Sequence, residues 1–306
     1  ERKKERKPHL QRNIEDAMTN KNNPHWIDLH LHTNNSDGTL SSFELVNLAA
    51  TQNIKTIAIT DHDTIDGVKS AIKEGKKRNL DVIPGIEISS KYTGGTLHII
   101  GFGIDIGAPE LLKNLSQFQN IRKHRNDKII SRLHSLGIGI SVDEIMHANP
   151  MIKSLGRPHI ASLLVKKGVV KNMNQAFTQY LGKNGTAFVE KDVIASDITI
   201  RMIHDAGGMA ILAHPATLNL TGHSFTDYVK KLMRVGLDGM EVYSSSHTAD
   251  QIQFYKDVYL KNGLLISAGS DFHGSIKKNG SLGICNNGSR ISMGMVSNEL
   301  IALAVG

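Results

Sequence analysis

The chain has 306 residues, of which 40% are hydrophobic and 28 are glycine, and this length suits one large domain or one domain that carries an insertion. Its net charge of +7 favours an anionic partner, but an aromatic content of only 5% leaves little material for a surface that stacks nucleic-acid bases. A single cysteine, Cys285, excludes an internal disulfide framework, and the sequence shows neither a bilayer-spanning apolar run nor a secretory signal, so we expect a cytoplasmic protein without a membrane partner.

Residues 1–24 are polar and basic, and they predict a solvated tail. Residues 25–108 then alternate short apolar runs with amphipathic helical patterns, and residues 193–306 resume this alternation. Between them, residues 109–192 lose the strand signals, which predicts a helical insertion domain that caps the site. Alternation in short units is typical of an α/β fold with a mainly parallel sheet or barrel. The predicted strands are 27–33, 54–60, 82–87, 97–102, 209–213, 239–243 and 264–268.

The first predicted strand contains His30 and His32, which period-two alternation places on one face. For an isolated pair of this kind, two satisfied histidines in an ordinary strand would be the better interpretation. The rest of the chain favours a metal site, because most predicted strands lead to a further His, Asp or Glu, and the carboxyl ends of barrel strands converge on one mouth. The candidate metal ligands are His30, His32, Asp37, His62, Glu87, His98, His214, Asp271 and His273.

This donor set indicates a multinuclear metal centre. Nine donors exceed the roughly three or four protein ligands that one catalytic ion takes. Imidazoles mixed with carboxylates suit Mn, Fe or Zn, so we expect two or three divalent transition metal ions, with manganese first. Glu87 is able to bridge two of them. Closely spaced ions share a hydroxide of low pKa and clamp the attacking and leaving oxygens of a displacement at phosphorus.

The candidate ligands lie in motifs that follow one another along the chain. They are His30-Leu31-His32-Thr33 with Ser36-Asp37-Gly38, Thr60-Asp61-His62-Asp63-Thr64, Gly85-Ile86-Glu87, His98, Ala213-His214-Pro215, and Ser270-Asp271-Phe272-His273-Gly274. As a set, and in this order, they resemble the motifs of the PHP (polymerase and histidinol phosphatase) family over roughly residues 25–105 and 195–285. The resemblance implies a distorted (β/α)7 barrel of the PHP type and metal-dependent phosphoester hydrolysis by a metal-bridging hydroxide.

The resemblance also implies how the donors are shared and which ester is cleaved. By the family pattern, one ion takes His30, His32, Glu87 and Asp271, a second takes Glu87, His98 and His214, and a third takes Asp37, His62 and His273. The helical insertion most resembles the branch that hydrolyses nucleoside 3',5'-bisphosphates and short oligoribonucleotides. The expected reaction is therefore the conversion of a nucleoside 3',5'-bisphosphate to the nucleoside 5'-monophosphate and phosphate, together with cleavage of short RNA from its 5' end.

Several residues outside the ligand set are candidates for substrate binding. Arg157 lies in a turn-like stretch that opens a helix, where a guanidinium and backbone amides both favour an anion, although it could instead pair on the surface of the insertion. His159 could donate to phosphate or to the leaving oxygen, and Ser154 could add a hydroxyl. Tyr243 and His247 follow a strand and should face the mouth of the barrel, with a solvated loop as the alternative for His247.

Basic residues elsewhere have a plainer interpretation. We interpret Arg122-Lys123-His124-Arg125 and Lys166-Lys167 as the wet faces of helices. Asp63 is interpreted as a helix N-cap in preference to a partner of a metal ligand.

Two other functions remain open at this stage. Histidinol-phosphate phosphatase activity belongs to the same family and would use the same centre. A nonenzymatic, metal-dependent nucleic-acid binding module would fit the basic charge, but the complete ligand set argues against it. The expected partner is a nucleotide or short oligonucleotide, and no obligate protein partner is evident.

Overall fold

The computed structural model describes residues 25–148, 155–190, 192–276 and 281–304, and a seven-stranded sheet lies at its centre. The predicted tail, residues 1–24, lies outside the described residues. All seven predicted strands are present, and they neighbour one another in chain order. They are β1 Trp26–Leu31, β2 Ile54–Ile59, β3 Asp81–Ser90, β4 Leu97–Phe102, β5 Met209–Leu212, β6 Gly239–Ser244 and β7 Leu265–Gly269.

The sheet curls into a nearly closed barrel. The strands β1, β2 and β3 are parallel, as are β5, β6 and β7, and a parallel bridge between Leu31 and Phe272 joins the end of β1 to the segment after β7. The strand β4 is antiparallel to both of its neighbours. Its amino end therefore lies at the same rim as the carboxyl ends of the others, which brings His98, the second residue of β4, to that rim.

Helices flank the strands and fill the long connection between β4 and β5. The barrel helices are α1 Ser42–Thr51, α2 Val68–Arg78, α7 Ser196–Asp205, α8 Gly222–Arg234, α9 Ala249–Asn262 and α10 Asn298–Ile301. The inserted helices are α3 Pro109–Ser135, α4 Val142–Ala148, α5 Arg157–Lys166 and α6 Met173–Ala176, the last continued by a π-helical turn, Phe177–Leu181. Among the described residues, no helix combines the length and the apolarity that crossing a membrane requires.

A local capping interaction explains where the first helix begins. Ser41 Oγ accepts the amide N–H of Glu44, and Glu44 Oε2 accepts the amide N–H of Ser41 at 2.8 Å, which forms a capping box at the start of α1. The helix α2 begins at Val68, with Gly67 as its N-cap. Asp63 lies in the preceding loop with a φ of 55°, so the interpretation of Asp63 as an N-cap is wrong.

The apolar side chains form three clusters. One cluster lies between the sheet and its helices and includes Ile57 and Ile59, while Ile27 and Ala58 belong to a second cluster with residues from around the ring of strands. The segment 281–304, for which the sequence predicts no element, adds Leu300 and its neighbours to this second cluster. Ile27 donates its amide N–H to Ile291 O at 3.0 Å, which attaches the segment to β1.

The third cluster belongs to the insertion alone. Its buried members all lie between Ile129 and Ala187, and they include Leu133, Ile160 and Leu164 from α3 and α5. A hydrophobic core without barrel residues is what a separate structural unit requires. We therefore retain the prediction that 109–192 form an insertion domain and that 25–108 and 193–306 form the barrel, and the following substitution tests it.

Replacing Leu164 by Ala removes a fully buried side chain from the third cluster and should destabilise it by about 2–5 kcal/mol. Hydrogen exchange should accelerate in α3, α4 and α5, because these helices share that core, and not in β2 or β3. The matched variant Leu45→Ala, equally buried in the barrel cluster, should accelerate exchange in α1 and β2. Equal acceleration of the whole chain by both variants would contradict a separate insertion core.

Candidate metal centre and substrate cleft

The carboxylate of Glu87 lies at the middle of the barrel mouth, fully buried and surrounded by imidazoles. Its Oε1 is 2.8 Å from Nδ1 of His98 and 2.8 Å from Nε2 of His214. Its Oε2 is 3.4 Å from Nε2 of His30, 3.2 Å from Nε2 of His32 and 3.0 Å from Nδ1 of His62. One carboxylate thus contacts five histidines from four strands and their loops.

Two further carboxylates complete the ring. Asp271 Oδ1 is 3.5 Å from His30 Nε2 and 3.3 Å from His32 Nε2. Asp37 Oδ1 is 3.5 Å from His32 Nδ1 and 3.3 Å from His273 Nε2, and its Oδ2 is 3.8 Å from Nε2 of His62. The structure therefore brings all nine candidate ligands of the sequence analysis together in one place.

These donors fit metal ions on two grounds. Two ligands bound at about 2.1 Å to one ion lie roughly 3 to 3.5 Å apart, which is the range of most donor separations in this cluster. In addition, buried atoms that point into the cluster have no hydrogen-bond partner within the described parts of the chain: His30 Nε2, both ring nitrogens of His32, His62 Nδ1 and Glu87 Oε2. Buried polar atoms without partners are costly, so their concentration here indicates cations that would satisfy them.

The grouping of the donors agrees with the predicted sharing only in part: there are four groups instead of three, His214 groups with His30, His98 groups with His62, and His32 joins the group of Asp37. Ligand atoms within 4.8 Å of one another form the groups His30/His32/Asp271, His30/Glu87/His214, His62/Glu87/His98 and His32/Asp37/His62/His273. His32 belongs to two of these groups, one through each ring nitrogen. Glu87 belongs to the other two. The assignment of donors to particular ions stays a prediction.

Buried carboxylates behind the cluster hold the loops that carry these donors. Asp61 Oδ1 accepts the amide N–H of Thr33 at 2.7 Å and the hydroxyl of Ser36 at 2.5 Å, which shapes the loop that presents Asp37. Asp28 accepts the amide N–H of Ser270 at 2.9 Å and that of Gly283 at 2.7 Å, which fixes the segment leading to Asp271. Neither carboxylate was assigned a role from the sequence, although each is a charged residue in or directly after a buried strand.

Donors at the strand ends adopt uncommon backbone conformations. Asp271 has a φ of 54° and His214 has a φ of 22°, both in the region that favours glycine. Such conformations cost about 1–3 kcal/mol each and persist only where the surroundings hold them. The loops therefore keep these donors in place against a local preference to relax.

The carboxylates and imidazoles also set each other's protonation. Burial lowers the pKa of His32, but the facing carboxylates of Asp271 and Glu87, 3.3 and 3.2 Å from its Nε2, outweigh this effect and raise the pKa of His32 to about 9. Burial disfavours the charged form of Glu87, yet the surrounding imidazoles of His62, His98 and His30 hold the pKa of Glu87 well below its usual range. Burial keeps the pKa of His62 well below 6.5. Without metal, the cluster is thus a set of ionised carboxylates paired with some protonated imidazoles.

A cleft of about 980 Å³ runs from this centre to the insertion. His62 and His98 line it on the barrel side, and Arg122, Arg125 and Arg157 line it on the side of the insertion. The interpretation of Arg122 and Arg125 as part of a wet helix face is therefore wrong. The reason is that α3 docks this face over the barrel mouth.

The three arginines differ in their partners. Arg122 Nη2 donates to Asp63 Oδ2 at 2.8 Å and to the carbonyl of His62 at 3.2 Å. Arg125 and Arg157 donate to carbonyls, of Val189 and Leu181 respectively, and neither has a carboxylate partner among the described residues. Burial lowers the pKa of Arg125 to about 9, with help from the charges of Arg157 and Arg122, and the group still carries its charge at neutral pH.

The other predicted substrate residues are less accessible. His159 is buried, with Nδ1 accepting the amide N–H of Gly156 at 3.0 Å. Tyr243 is half-buried against both barrel clusters and does not line the cleft. His247 is fully buried beside Tyr255, with Nδ1 2.9 Å from the carbonyl oxygen of Val242, so the expectation that it faces the mouth is corrected. Ser154 lies outside the described residues.

One contributor to the centre was missed altogether. Glu241 in β6 is fully buried, with Oε1 3.0 Å from His30 Nδ1 and Oε2 accepting the amide N–H of His214 at 2.7 Å. The available signal was a lone acid within an otherwise apolar strand, Gly239-Met240-Glu241-Val242. A buried charge at that position requires partners.

Comparison with known proteins identifies relatives along most of the chain. The family model of the PHP domain matches residues 28–183. A 5'-3' exoribonuclease from Haemophilus influenzae is 36% identical over 80% of this chain and 89% of that protein. A 3',5'-nucleoside bisphosphate phosphatase from Chromobacterium violaceum is 32% identical over 81% of this chain and 87% of that protein. The solved structure of an amidohydrolase from Chromobacterium violaceum, with bound sulfate, has a TM-score of 0.80 at 30% identity and covers 90% of this chain and 96% of that one.

Substituting Glu87 by Gln should remove the anion that five imidazoles share, and with it most of the bound metal. We expect a loss of manganese affinity of at least the roughly 10- to 100-fold that follows when a residue behind a metal ligand is changed. Elemental analysis and calorimetry with MnCl₂ measure it. Glu74→Gln is the matched control, because Glu74 is also a buried glutamate but pairs with Lys77 and Arg78 on α2, away from the metal centre. Wild-type manganese affinity in the Glu87 variant would refute the centre.

Metal-free protein should lose stability as the pH rises from about 6.5 to 9. The folded-state pKa of His32, about 9, exceeds its ordinary value of 6.5, so its ion pairs stabilise the fold fully below pH 6.5 and are lost as the pH passes 9. A ligand must be deprotonated, so the stabilisation by added MnCl₂ should grow over the same interval. Thermal unfolding with and without manganese measures both. A pH-independent melting temperature of the metal-free protein would contradict this.

Proposed function

Because this chain belongs to the PHP family and is a metal-dependent hydrolase of phosphoric esters, we propose that it acts on nucleotides. The proposed reaction converts a nucleoside 3',5'-bisphosphate to the nucleoside 5'-monophosphate and phosphate. Cleavage of short RNA from its 5' end is a second use of the same chemistry. The relatives named above as a bisphosphate phosphatase and an exoribonuclease support both parts.

The observation that carries this proposal is the cleft that joins two kinds of anion-binding surface. One end holds the nine metal-capable donors, and the other holds Arg125 and Arg157, whose charges have no carboxylate partner among the described residues. Both arginines are half-buried, and a guanidinium group that has lost part of its water without gaining an anion binds phosphate favourably through its paired donors. A substrate with two phosphate groups satisfies both ends at once, and a simple monoester does not.

The walls of the cleft favour a nucleotide between these ends. Tyr92 lies on the barrel side, and Phe177 and Phe188 lie on the side of the insertion. Aromatic rings stack on bases without regard to their sequence. The guanidinium of Arg157 lies 5.8 Å from the centre of the Phe177 ring, which helps to keep that arginine extended along the wall.

The metal ions, when bound, would supply an activated water and neutralise charge on the leaving oxygen. The protein side chains have separate tasks. Glu87, Asp37 and Asp271 supply negative charge at the barrel mouth, and Arg157 with Arg125 orients the distant phosphate. His159 accepts a hydrogen bond at Nδ1, and burial lowers its pKa, so the neutral ring carries its proton on Nε2. That N–H is buried and has no hydrogen-bond partner among the described residues, and a phosphate or leaving oxygen that reached it would satisfy it.

We propose manganese as the metal, in two or three positions that make up a trinuclear site when full. The mixture of imidazole and carboxylate donors supports this choice, with iron or zinc as the alternatives. We propose a cytoplasmic location, since the lone cysteine, Cys285, is buried and free and needs no oxidising compartment.

Arg157→Ala and Arg125→Ala should each lower kcat/KM for adenosine 3',5'-bisphosphate by roughly 10- to 100-fold, since hydrogen bonds to charged groups are worth about 1.5–3 kcal/mol. Hydrolysis of a simple aryl phosphate should change little, because it has no second phosphate to hold. Arg201→Ala, an exposed arginine on α7, is the matched control. An equal loss on both substrates would remove the assigned role of the arginines.

A phosphate-release screen separates the remaining functions. Adenosine 3',5'-bisphosphate and 5'-phosphorylated short RNA should be cleaved well in the presence of MnCl₂. Far better cleavage of histidinol phosphate would replace the proposed substrate class with the alternative one. Salt-sensitive RNA binding without any phosphate release would instead indicate a nonenzymatic binding module.

A further inference from the structure

The buried carboxylate of Glu241 contacts the centre from behind. Its Oε1 is 3.0 Å from Nδ1 of His30, while Nε2 of the same ring faces Glu87 and Asp271 at 3.4 and 3.5 Å. Glu241 therefore meets the side of His30 that points away from the other donors. Its position is that of a residue acting on a ligand and not of a ligand itself.

The contact settles which nitrogen of neutral His30 carries the proton. An ionised carboxylate only accepts hydrogen bonds, so the nitrogen facing Glu241 must be the one that donates. Nδ1 then holds the hydrogen, and Nε2 presents its lone pair toward Glu87 and Asp271. A carboxylate behind a histidine fixes both the tautomer and the ring orientation that metal binding needs.

The second oxygen of Glu241 acts on another strand. Oε2 accepts the amide N–H of His214 at 2.7 Å, in a residue whose φ of 22° and ψ of 65° are strained. The ring of His214 is turned by Thr217, whose hydroxyl is 3.1 Å from Nδ1, so that Nε2 lies 2.8 Å from Glu87. One carboxylate thus restrains a side chain on β1 and the backbone after β5.

The space around this arrangement is closed. A Cβ atom at Gly269 of β7 would lie 2.2 Å from His30 Cβ and 3.0 Å from Glu241 Oε1. No side chain larger than that of glycine fits at this position, so the backbone of β7 packs directly against the pair. The contact between Glu241 and His30 is therefore held by packing as well as by hydrogen bonding.

We propose that Glu241 is a positioning residue for the metal centre, which holds His30 in the tautomer that binds a cation and His214 in the backbone conformation that aims it at Glu87. The proposal rests on the metal centre of the proposed function but not on the identity of the substrate. It predicts that two donors, His30 on β1 and His214 after β5, depend on one carboxylate that binds no ion.

Glu241→Gln is the sharpest test, because it preserves the shape and removes one acceptor. A glutamine has a single amide oxygen, so either His30 Nδ1 or the amide of His214 must face an NH₂ group. Calorimetry with MnCl₂, without substrate, should show affinity lower by roughly 10- to 100-fold. With an aryl phosphate, kcat should fall, KM should stay unchanged, and added MnCl₂ should restore kcat.

Glu74→Gln is again the matched control and should bind manganese as the wild type does. Manganese affinity of Glu241→Gln equal to that of the wild type would overturn the proposal, as would equal losses in both variants or a change confined to KM. If circular dichroism shows that the glutamine variant does not fold, Glu241→Asp takes its place. The shorter carboxylate does not reach both donors, so wild-type manganese affinity in Glu241→Asp would likewise overturn the proposal.

Failure of this proposal is distinguishable from failure of the proposed substrate. The manganese titration contains no nucleotide, and the kinetic test uses an aryl phosphate. A protein that binds manganese through Glu241-dependent donors but ignores nucleotides would retain this inference and lose only the substrate class.

Discussion

The structure depends on one arrangement, a buried carboxylate surrounded by imidazoles. Glu87 contacts five histidines, and no part of its side chain reaches solvent. So many polar groups are tolerated in the interior only where opposite charges or bound cations compensate them. The barrel meets this demand by ending its strands at one rim, and Asp28, Asp61 and Glu241 hold the loops and rings from behind. The insertion then adds arginines across the cleft, so that a negatively charged substrate meets cations on both sides.

Much of this arrangement follows from the sequence in simple physical terms. Each strand is a short apolar run, and the alternation of side chains along β1 places His30 and His32 on one face. A barrel gathers the residues that follow its strands, so nine scattered donors become one cluster even though they span residues 30 to 273. The capping box at Ser41 and Glu44 also follows from the sequence, because both of its hydrogen bonds join residues only three positions apart.

What the sequence did not reveal depends on contacts distant along the chain. The antiparallel direction of β4 could have been predicted from the sequence, however. The connection between β3 and β4, residues 91–96, is shorter than the crossover of about a dozen residues that two parallel strands need. The position of Arg122 and Arg125 in the cleft could not have been predicted, because the docking of α3 on the barrel determines which face of this helix is buried. His247 follows a strand like the true donors, yet its ring turns inward to Val242. Glu241 belongs to no recognised motif, and only its burial beside His30 indicates that it positions a metal ligand.

Anomalous diffraction from crystals grown with manganese tests the central claim most directly. The account predicts peaks within bonding distance of Glu87 and of the ring nitrogens that face it, with Nδ1 of His30 directed at Glu241 and away from every peak. The absence of manganese peaks at the barrel mouth, with the nine donor side chains in contact only with one another, would contradict the account.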